Sequence, residues 1–211
     1  MRRVIQILFV LVIIVLGYLI VESIMEPIRF NQEVEVRERA TIDRLIDIRE
    51  AQKAYKDIYK QYTGSFDTLI AFVDTGSFTV IKADGDIPEE WLDELGFEKA
   101  REKALEEGVI RRDPIQVPVL DSLFHNGFAT DSLRYVPYCD GVTFNMSSGE
   151  LLTSSNLTVQ VVETSCFYDD LLNGMDRQLV VNYKDERMKI VGFEGVKFGS
   201  MEEGTLTGNW E

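Results

Sequence analysis

The chain of 211 residues contains one histidine, two cysteines and more acidic than basic residues, and each scarcity excludes a class of protein. His125 alone leaves little for a histidine-based metal site or a hydrolytic triad. Cys139 and Cys166 are too few for a disulfide-dense scaffold or a four-thiolate zinc site. A net charge of −14 argues against nucleic-acid binding, which needs cations facing phosphates. We therefore expect a non-enzymatic protein with no cofactor, no bound metal and no nucleic-acid partner.

An apolar run occupies the N-terminus, from Val4 to Val21, and is interrupted only by Gln6 and Gly17. As a helix this run covers roughly 27 Å, and the next turn, to Met25, completes the ~30 Å of a bilayer's hydrocarbon core. The alternative is a cleaved secretory signal, which has a shorter apolar core and a small-residue cleavage site. Neither property is found here. We predict a transmembrane anchor over residues 4–25 that contacts membrane lipid.

Charge predicts the orientation of this anchor. Arg2 and Arg3 precede it, whereas Glu22 and Glu26 lie at its other end. The positive-inside rule then predicts a cytoplasmic tip of residues 1–3 and a C-terminal domain that is extracytoplasmic. Because the exported part keeps all 36 acidic residues, we expect anionic headgroups to repel it and hold it away from the bilayer.

Residues 26–62 have the pattern of a long amphipathic helix. We expect Pro27 to end or kink the membrane helix, and the helix beyond it to serve as a stalk. Apolar and aromatic residues recur along one stripe at spacings of three and four. This stripe has two interpretations: it packs on the protein's own sheet, or it joins helices from different copies. Its residues are Leu45, Ile48, Gln52, Tyr55, Tyr59 and Tyr62.

Residues 63–211 are predicted to form an extracytoplasmic α+β domain that is mainly an antiparallel sheet. Gly64 is suited to a left-handed cap that ends the preceding helix. A second helix is predicted from Pro88 to Glu107. Alternating or β-branched residues then favour further strands. These include residues 133–138, 143–146 and 157–163, followed by a hairpin of residues 178–183 and 188–193.

The side chains that could carry chemistry have simpler explanations. Cys139 and Cys166 are a candidate disulfide, which would contribute about 3–4 kcal/mol in the chain-entropy model. The alternative is two unpaired thiols buried as small apolar groups. His125 is interpreted as a surface histidine, and Asp169-Asp170 as a cap or turn. An acidic cluster at Glu89, Glu90, Asp93 and Glu94 is interpreted as a solvated helix start, because no loop of calcium ligands accompanies it.

The layout resembles that of type IV pilins and type II secretion pseudopilins. The resemblance covers roughly residues 4–70, and its closest passages are residues 44–55 (RLIDIREAQKAY) and 62–69 (YTGSFDTL). It implies an N-terminal helix that anchors the subunit and continues into an antiparallel sheet domain. The chain departs from the family in having no Gly-Phe processing site and no glutamate near the start of the apolar run. Filament assembly is therefore one option among several.

These patterns predict a single-pass membrane protein of the cell envelope whose exported domain is a binding or assembly module, with a protein partner or a second copy. A membrane-tethered hydrolytic enzyme that uses His125 or acidic residues is the alternative from another class. A third is a sensor domain that acts through a membrane partner.

Overall fold

A single helix, α1, runs from Arg2 to Tyr59 in the computed structural model. The structure describes residues 2–84, 86–109, 111–125 and 127–211; the side chains of residues 2–5, 80–84, 94 and 111–114 are outside this description. Pro27 lies inside α1, so of the two predicted effects, an end or a kink of the membrane helix, the end is wrong. The helix continues because Phe30 and Val34, on the next turns, are buried in the domain. Their packing offsets the hydrogen bond that a proline removes.

The second half of α1 belongs to the core of the domain. Phe30, Val34, Leu45 and Ile48 are buried in one cluster with side chains from the rest of the chain. The second half of α1 thus packs with the predicted domain of residues 63–211, and the division into a stalk over residues 26–62 and that domain stays a prediction. The domain begins to enclose α1 at Phe30, and this part of the helix is no free spacer.

The end of α1 and the turn after it are shaped by residues other than the predicted glycine. Lys60 has the left-handed conformation, with φ of 62°, that was predicted for Gly64. The space around Gly64 is tight, since a Cβ there would lie 3.2 Å from Ser148 Oγ. The turn leads into α2, Phe66–Thr75, whose buried face includes Leu69 and Val73.

A two-stranded antiparallel sheet follows α2. Its strands are β1, Ser77–Asp84, and β2, Arg111–Pro118, paired from Ser77 opposite Pro118 to Asp84 opposite Arg111. Between them lie two helices, α3, Glu89–Leu95, and α4, Phe97–Glu106. The single helix predicted over residues 88–107 is thus divided at Gly96, whose φ of 73° favours glycine.

A three-stranded antiparallel sheet of order β3-β4-β5 packs against α1 and completes the α+β fold. Its strands are β3, Asn145–Leu152, β4, Thr158–Phe167, and β5, Gly195–Gly199. The segment before it forms a short helix, α5, Val119–Leu123, and a 3-10 helix, Thr130–Arg134, instead of the strand predicted over residues 133–138. The C-terminal tail runs beside β5, where Gly199 N donates to Thr207 O at 3.1 Å. The predicted fold class is confirmed.

The predicted hairpin over residues 178–193 is wrong. Between β4 and β5 lie a single-turn helix, α6, Tyr168–Leu171, and α7, Arg177–Val191. Asp176 caps the start of α7 by accepting a hydrogen bond from Leu179 N at 3.0 Å, and Gly192 ends it with φ of 69°. Its inward side chains, including Leu179 and Tyr183, recur at helical spacing.

Candidate functional site

The first half of α1 has an exposed apolar surface. From Ile7 to Ile24 its apolar side chains are exposed, and Ile13, for example, is 66% exposed. In the part of the chain that the structure describes, α1 is the one helix long and apolar enough to cross a membrane. Because it is apolar all round, it requires lipid or other apolar helices around it. This helix is a candidate membrane span, which suggests a single-pass membrane protein.

The predicted interaction stripe on α1 lies mostly inside the protein's own domain. Leu45, Ile48 and Gln52 are fully buried, and Tyr55 and Tyr62 are nearly so. Tyr59 differs, because it is 54% exposed. Of the two interpretations of the stripe, packing on the protein's own core describes five of its six residues. Tyr59 alone is accessible to a second copy.

Gln52 lies in the stripe because it holds the turn after α1. Its side-chain amide donates to Thr63 O at 2.6 Å and accepts from Thr63 N at 3.1 Å. The nitrogen and the oxygen of this fully buried side-chain amide are thereby both hydrogen-bonded, which offsets the cost of burying them. The polar residue that interrupts the apolar stripe therefore fixes the direction in which the chain leaves α1.

Arginines on α1 hold three other segments of the domain. Arg37 donates to Leu171 O at 3.0 Å, at the end of α6. Arg44 bonds to Ser132 in the 3-10 helix. Arg49 pairs with Glu211 at 2.6 Å, and its guanidinium lies 5.9 Å from the centre of the Trp210 ring in the tail. α1 thus makes charged contacts with segments far apart in sequence.

A carboxylate on α1 joins two tyrosines of the α6–α7 region. Glu38 accepts hydrogen bonds from the hydroxyls of Tyr168 and Tyr183, the latter at 2.9 Å. Arg187 Nε donates to Tyr168 Oη at 3.1 Å. Burial, followed by the nearby Glu38 carboxylate, raises the pKa of both tyrosines. This cluster was missed from the sequence because its members are far apart along the chain; with α7 assigned as a helix, Tyr183 and Arg187 would have appeared one turn apart on its inner face.

An aromatic groove opens at the end of α1 farthest from the apolar half. The rings of Tyr55 and Tyr59 have centroids 4.6 Å apart, and both meet Phe72 of α2, at 5.2 and 5.9 Å. The groove has a volume of about 540 Å³, and Asp67 stands at its rim. Asp67 pairs with Arg134 at 2.6 Å. We call this the distal groove; it contains two of the six predicted stripe residues.

The two cysteines are free thiols near one end of β4. Cys166 is buried, and burial raises the pKa of its thiol to about 12. Cys139 is partly buried, lies 3.4 Å from Asp170 O and has its pKa raised by burial as well. Thiolate is the reactive form, so raised pKa values favour inert thiols over a redox-active pair.

The remaining polar candidates occupy exposed positions. His125 is exposed, and its ring meets the edge of Phe128 at 5.7 Å. Asp169 pairs with Lys184 at 2.7 Å. Glu89, Glu90 and Asp93 are exposed on α3, while the side chain of Glu94 lies outside the described residues. Among the residues described, no group of three or more acidic, cysteine or histidine side chains is arranged to hold a metal ion.

Comparison with known proteins adds no relative. No protein-family model, curated protein or solved structure matches the chain.

Proposed function

We propose that this protein is a membrane-anchored, non-enzymatic module of the cell envelope that binds a protein partner or assembles with copies of itself. The observation that carries the proposal is the continuity of α1, which has an exposed apolar first half and a second half enclosed by the domain. A helix of this kind joins an anchor to a folded domain without a flexible linker. Such a connection suits a protein whose position and orientation matter to its partner.

The pilin-like interpretation agrees with this arrangement. In the resemblance described above, an N-terminal helix anchors the subunit and continues into an antiparallel sheet domain. Here the second half of α1 packs with the β3-β4-β5 sheet, and its first half is exposed. Within a membrane the first half would contact lipid, and in an assembly it would contact the same helix of other copies.

The proposed orientation follows from Arg2 and Arg3, which favour a cytoplasmic N-terminus. External protease tests it directly. In intact spheroplasts, added proteinase K should digest the domain, while a cytoplasmic protein in the same sample stays intact. A domain that is digested only after the cells are opened would contradict the extracytoplasmic placement and leave the anchor in place.

The distal groove is the proposed contact surface, because Tyr59 remains exposed there beside Phe72. We would place the photo-crosslinker p-benzoylphenylalanine at Tyr59 in the full-length protein in its native membrane. The matched control is the same crosslinker at Leu157, which is 64% exposed at the turn between β3 and β4.

We expect a discrete adduct from position 59, at the mass of a dimer or of a heterologous complex, and none from position 157. Monomer alone from position 59 at all expression levels would contradict a contact at the distal groove. Equal adducts from both positions would indicate non-specific collision and would contradict it as well.

A further inference from the structure

The glycine and the glutamine that interrupt the apolar run lie on one face of α1. An α-helix turns by about 100° per residue, so Gln6 and Gly17 are about three turns apart and their directions from the helix axis differ by only about 20°. Gln6 is exposed, and a Cβ at Gly17 would meet no atom within 4 Å. The anchor therefore presents an amide and an uncovered stretch of backbone on the same side.

The apolar residues of the anchor are distributed unequally around α1. Between Gln6 and Met25, every apolar residue within about 60° of Gly17 is a valine or an isoleucine. Phe9 and all the leucines of the anchor point at least about 80° away from Gly17. We call the first surface the Gly17 face. Its residues are Gln6, Val10, Ile13, Ile14, Gly17, Ile20, Val21 and Ile24, and the leucines outside it are Leu8, Leu11, Leu16 and Leu19.

This composition favours contact between helices over contact with lipid. Valine and isoleucine hold one χ1 rotamer about 90% of the time in a helix, so packing them costs little side-chain entropy. A glycine lets two backbones approach closely, and an amide can donate and accept between helices. Lipid tails offer Gln6 no hydrogen bond, whereas the same glutamine of a second helix offers both a donor and an acceptor. The Gly17 face thus has the properties of a helix–helix interface.

The domain leaves the Gly17 face open to a neighbour. Phe30 and Val34, which the domain buries, point about 140° and 100° away from Gly17 around the helix axis. Ile28 is 43% exposed and lies within about 20° of Gly17, so the open side continues beyond the anchor. Glu22 and Glu26 point about 140° and 180° away. A second helix can therefore approach without meeting the domain or these two carboxylates.

We propose that two copies of this chain pair in the membrane through their Gly17 faces, with the two helices parallel. A second copy is the partner that fits, because its anchor has the same length and orientation and places Gly17 at the same depth. A two-fold axis then brings two identical faces together, so that Gly17 lies beside Gly17 and Gln6 beside Gln6. This inference rests on the proposed function, and it names the partner that the anchor contacts.

The test uses the full-length protein in phosphatidylcholine vesicles at several ratios of protein to lipid. The crosslinker p-benzoylphenylalanine replaces Ile14 of the Gly17 face in one sample. In the matched control it replaces Leu19, which points about 160° away from Gly17. A denaturing gel measures the fraction of crosslinked dimer, and mass spectrometry measures the fraction of protein that carries an added phospholipid.

We expect a dimer from position 14, and lipid adducts without dimer from position 19. Gly17→Ile should lower the dimer at position 14 about tenfold, because a branched side chain separates the two backbones, and lipid adducts should replace it. The control Val12→Phe adds the same number of carbon atoms on the opposite side of α1 and should leave the dimer unchanged. Gln6→Leu should lower it only about threefold, because Gln6 lies near the end of the anchor and its amide also reaches the headgroups.

Other outcomes overturn the proposal in distinct ways. Lipid adducts without dimer at position 14 would remove the pairing and leave the anchor and the proposed function standing. Equal dimer from positions 14 and 19 would indicate random collision and contradict a specific face. Dimer that survives Gly17→Ile unchanged would contradict close approach at the glycine. Absence of lipid adducts from both positions, without any dimer, would contradict the anchor itself, and with it the proposed function.

Discussion

Ile13 and Ile48 lie on the same helix in opposite surroundings: Ile13 is 66% exposed, whereas Ile48 is fully buried by the domain. The difference lies in the pattern of their neighbours. Around Ile13 every face of α1 is apolar and the domain does not cover it, so lipid or other apolar helices must supply the contact. Around Ile48 the apolar residues form one stripe, which the domain covers. The comparison shows that periodicity, more than apolar content, separates a lipid-facing helix from a core helix.

The largest effect is expected from truncating the buried member of this pair. Ile48→Ala should lower the free energy of unfolding by about 2–5 kcal/mol, because it leaves a cavity in the core. Ile13→Ala should leave the stability of the domain within about 0.5 kcal/mol, since no part of the domain contacts it. Chemical unfolding in detergent measures both. Equal losses from the two variants would contradict the separation of the helix into two environments.

An introduced charge should have the opposite pattern, with a large effect in the first half of α1 and little effect beyond it. Ile13→Arg should disfavour membrane insertion by about 2.5–3.5 kcal/mol, the cost of an arginine near the centre of a spanning helix. Val36→Arg, at a position 49% exposed beyond the anchor, should leave insertion unchanged. Extraction of membranes with alkaline carbonate measures the fraction released. Release of the Val36 variant to the same extent would place residue 36 inside the lipid.

A smaller effect is expected where α1 meets α7. Glu38→Ala removes the acceptor of two tyrosine hydroxyls, one of them fully buried, and should cost about 1–3 kcal/mol. The matched control is Glu35→Ala, because Glu35 is exposed on the same helix and its described contact is a surface ion pair. Thermal unfolding in detergent compares the two. Similar melting temperatures would show that the Glu38 cluster does not hold α7.

The same cluster of Glu38, Tyr168 and Tyr183 should make the stability of the folded protein depend on pH. Burial and Glu38 raise the pKa of Tyr168 and Tyr183 above the ordinary value of about 10, so the folded protein retains these protons longer than the unfolded chain. Stability from this source is fully present below about pH 10 and is lost as the pH rises further. Cys166 contributes in the same direction from about pH 9. Tyr183→Phe should reduce the loss; an unchanged pH profile would assign it to other groups.

The smallest effect is expected for His125→Ala, because the histidine is exposed. The free energy of unfolding of the variant should change by less than about 0.5 kcal/mol, and the function of the protein in the cell should persist. Growth or envelope integrity of the variant strain measures the second outcome. Loss of function with normal folding and membrane content would favour the hydrolytic alternative over the binding module.

Features carried by local pattern could be predicted from the sequence. The apolar run and the stripe on α1 each follow from the spacing of neighbouring residues. α7 could not be assigned so easily, because Val180, Val181 and Tyr183 favour a strand while the caps at Asp176 and Gly192 favour a helix. The two caps enclose a length that suits one helix, and they were the stronger signal.

Contacts between residues far apart in the chain could not be predicted from the pattern of neighbouring residues. Glu38 and Tyr183 are 145 residues apart, and nothing in the surroundings of either indicates the other. Glu26 of α1 and Leu179 of α7 likewise line one groove of about 260 Å³, although they are far apart along the chain. Gln52 was visible as a polar residue in the stripe, but its partner, the backbone of Thr63, depends on the turn that follows.

Because α1 is continuous through Pro27, the proposed anchor and the helix inside the domain are one element, and a tilt of the anchor in the bilayer would move the domain. From Met25 to Tyr59 the helix measures about 50 Å. Membrane helices tilt by about 20° on average, and they tilt further when the bilayer is thin. A tilt of that size, transmitted along one continuous rod, moves the tyrosine at its tip sideways by about 17 Å. Bilayers of different thickness would therefore present the same aromatic surface at different places.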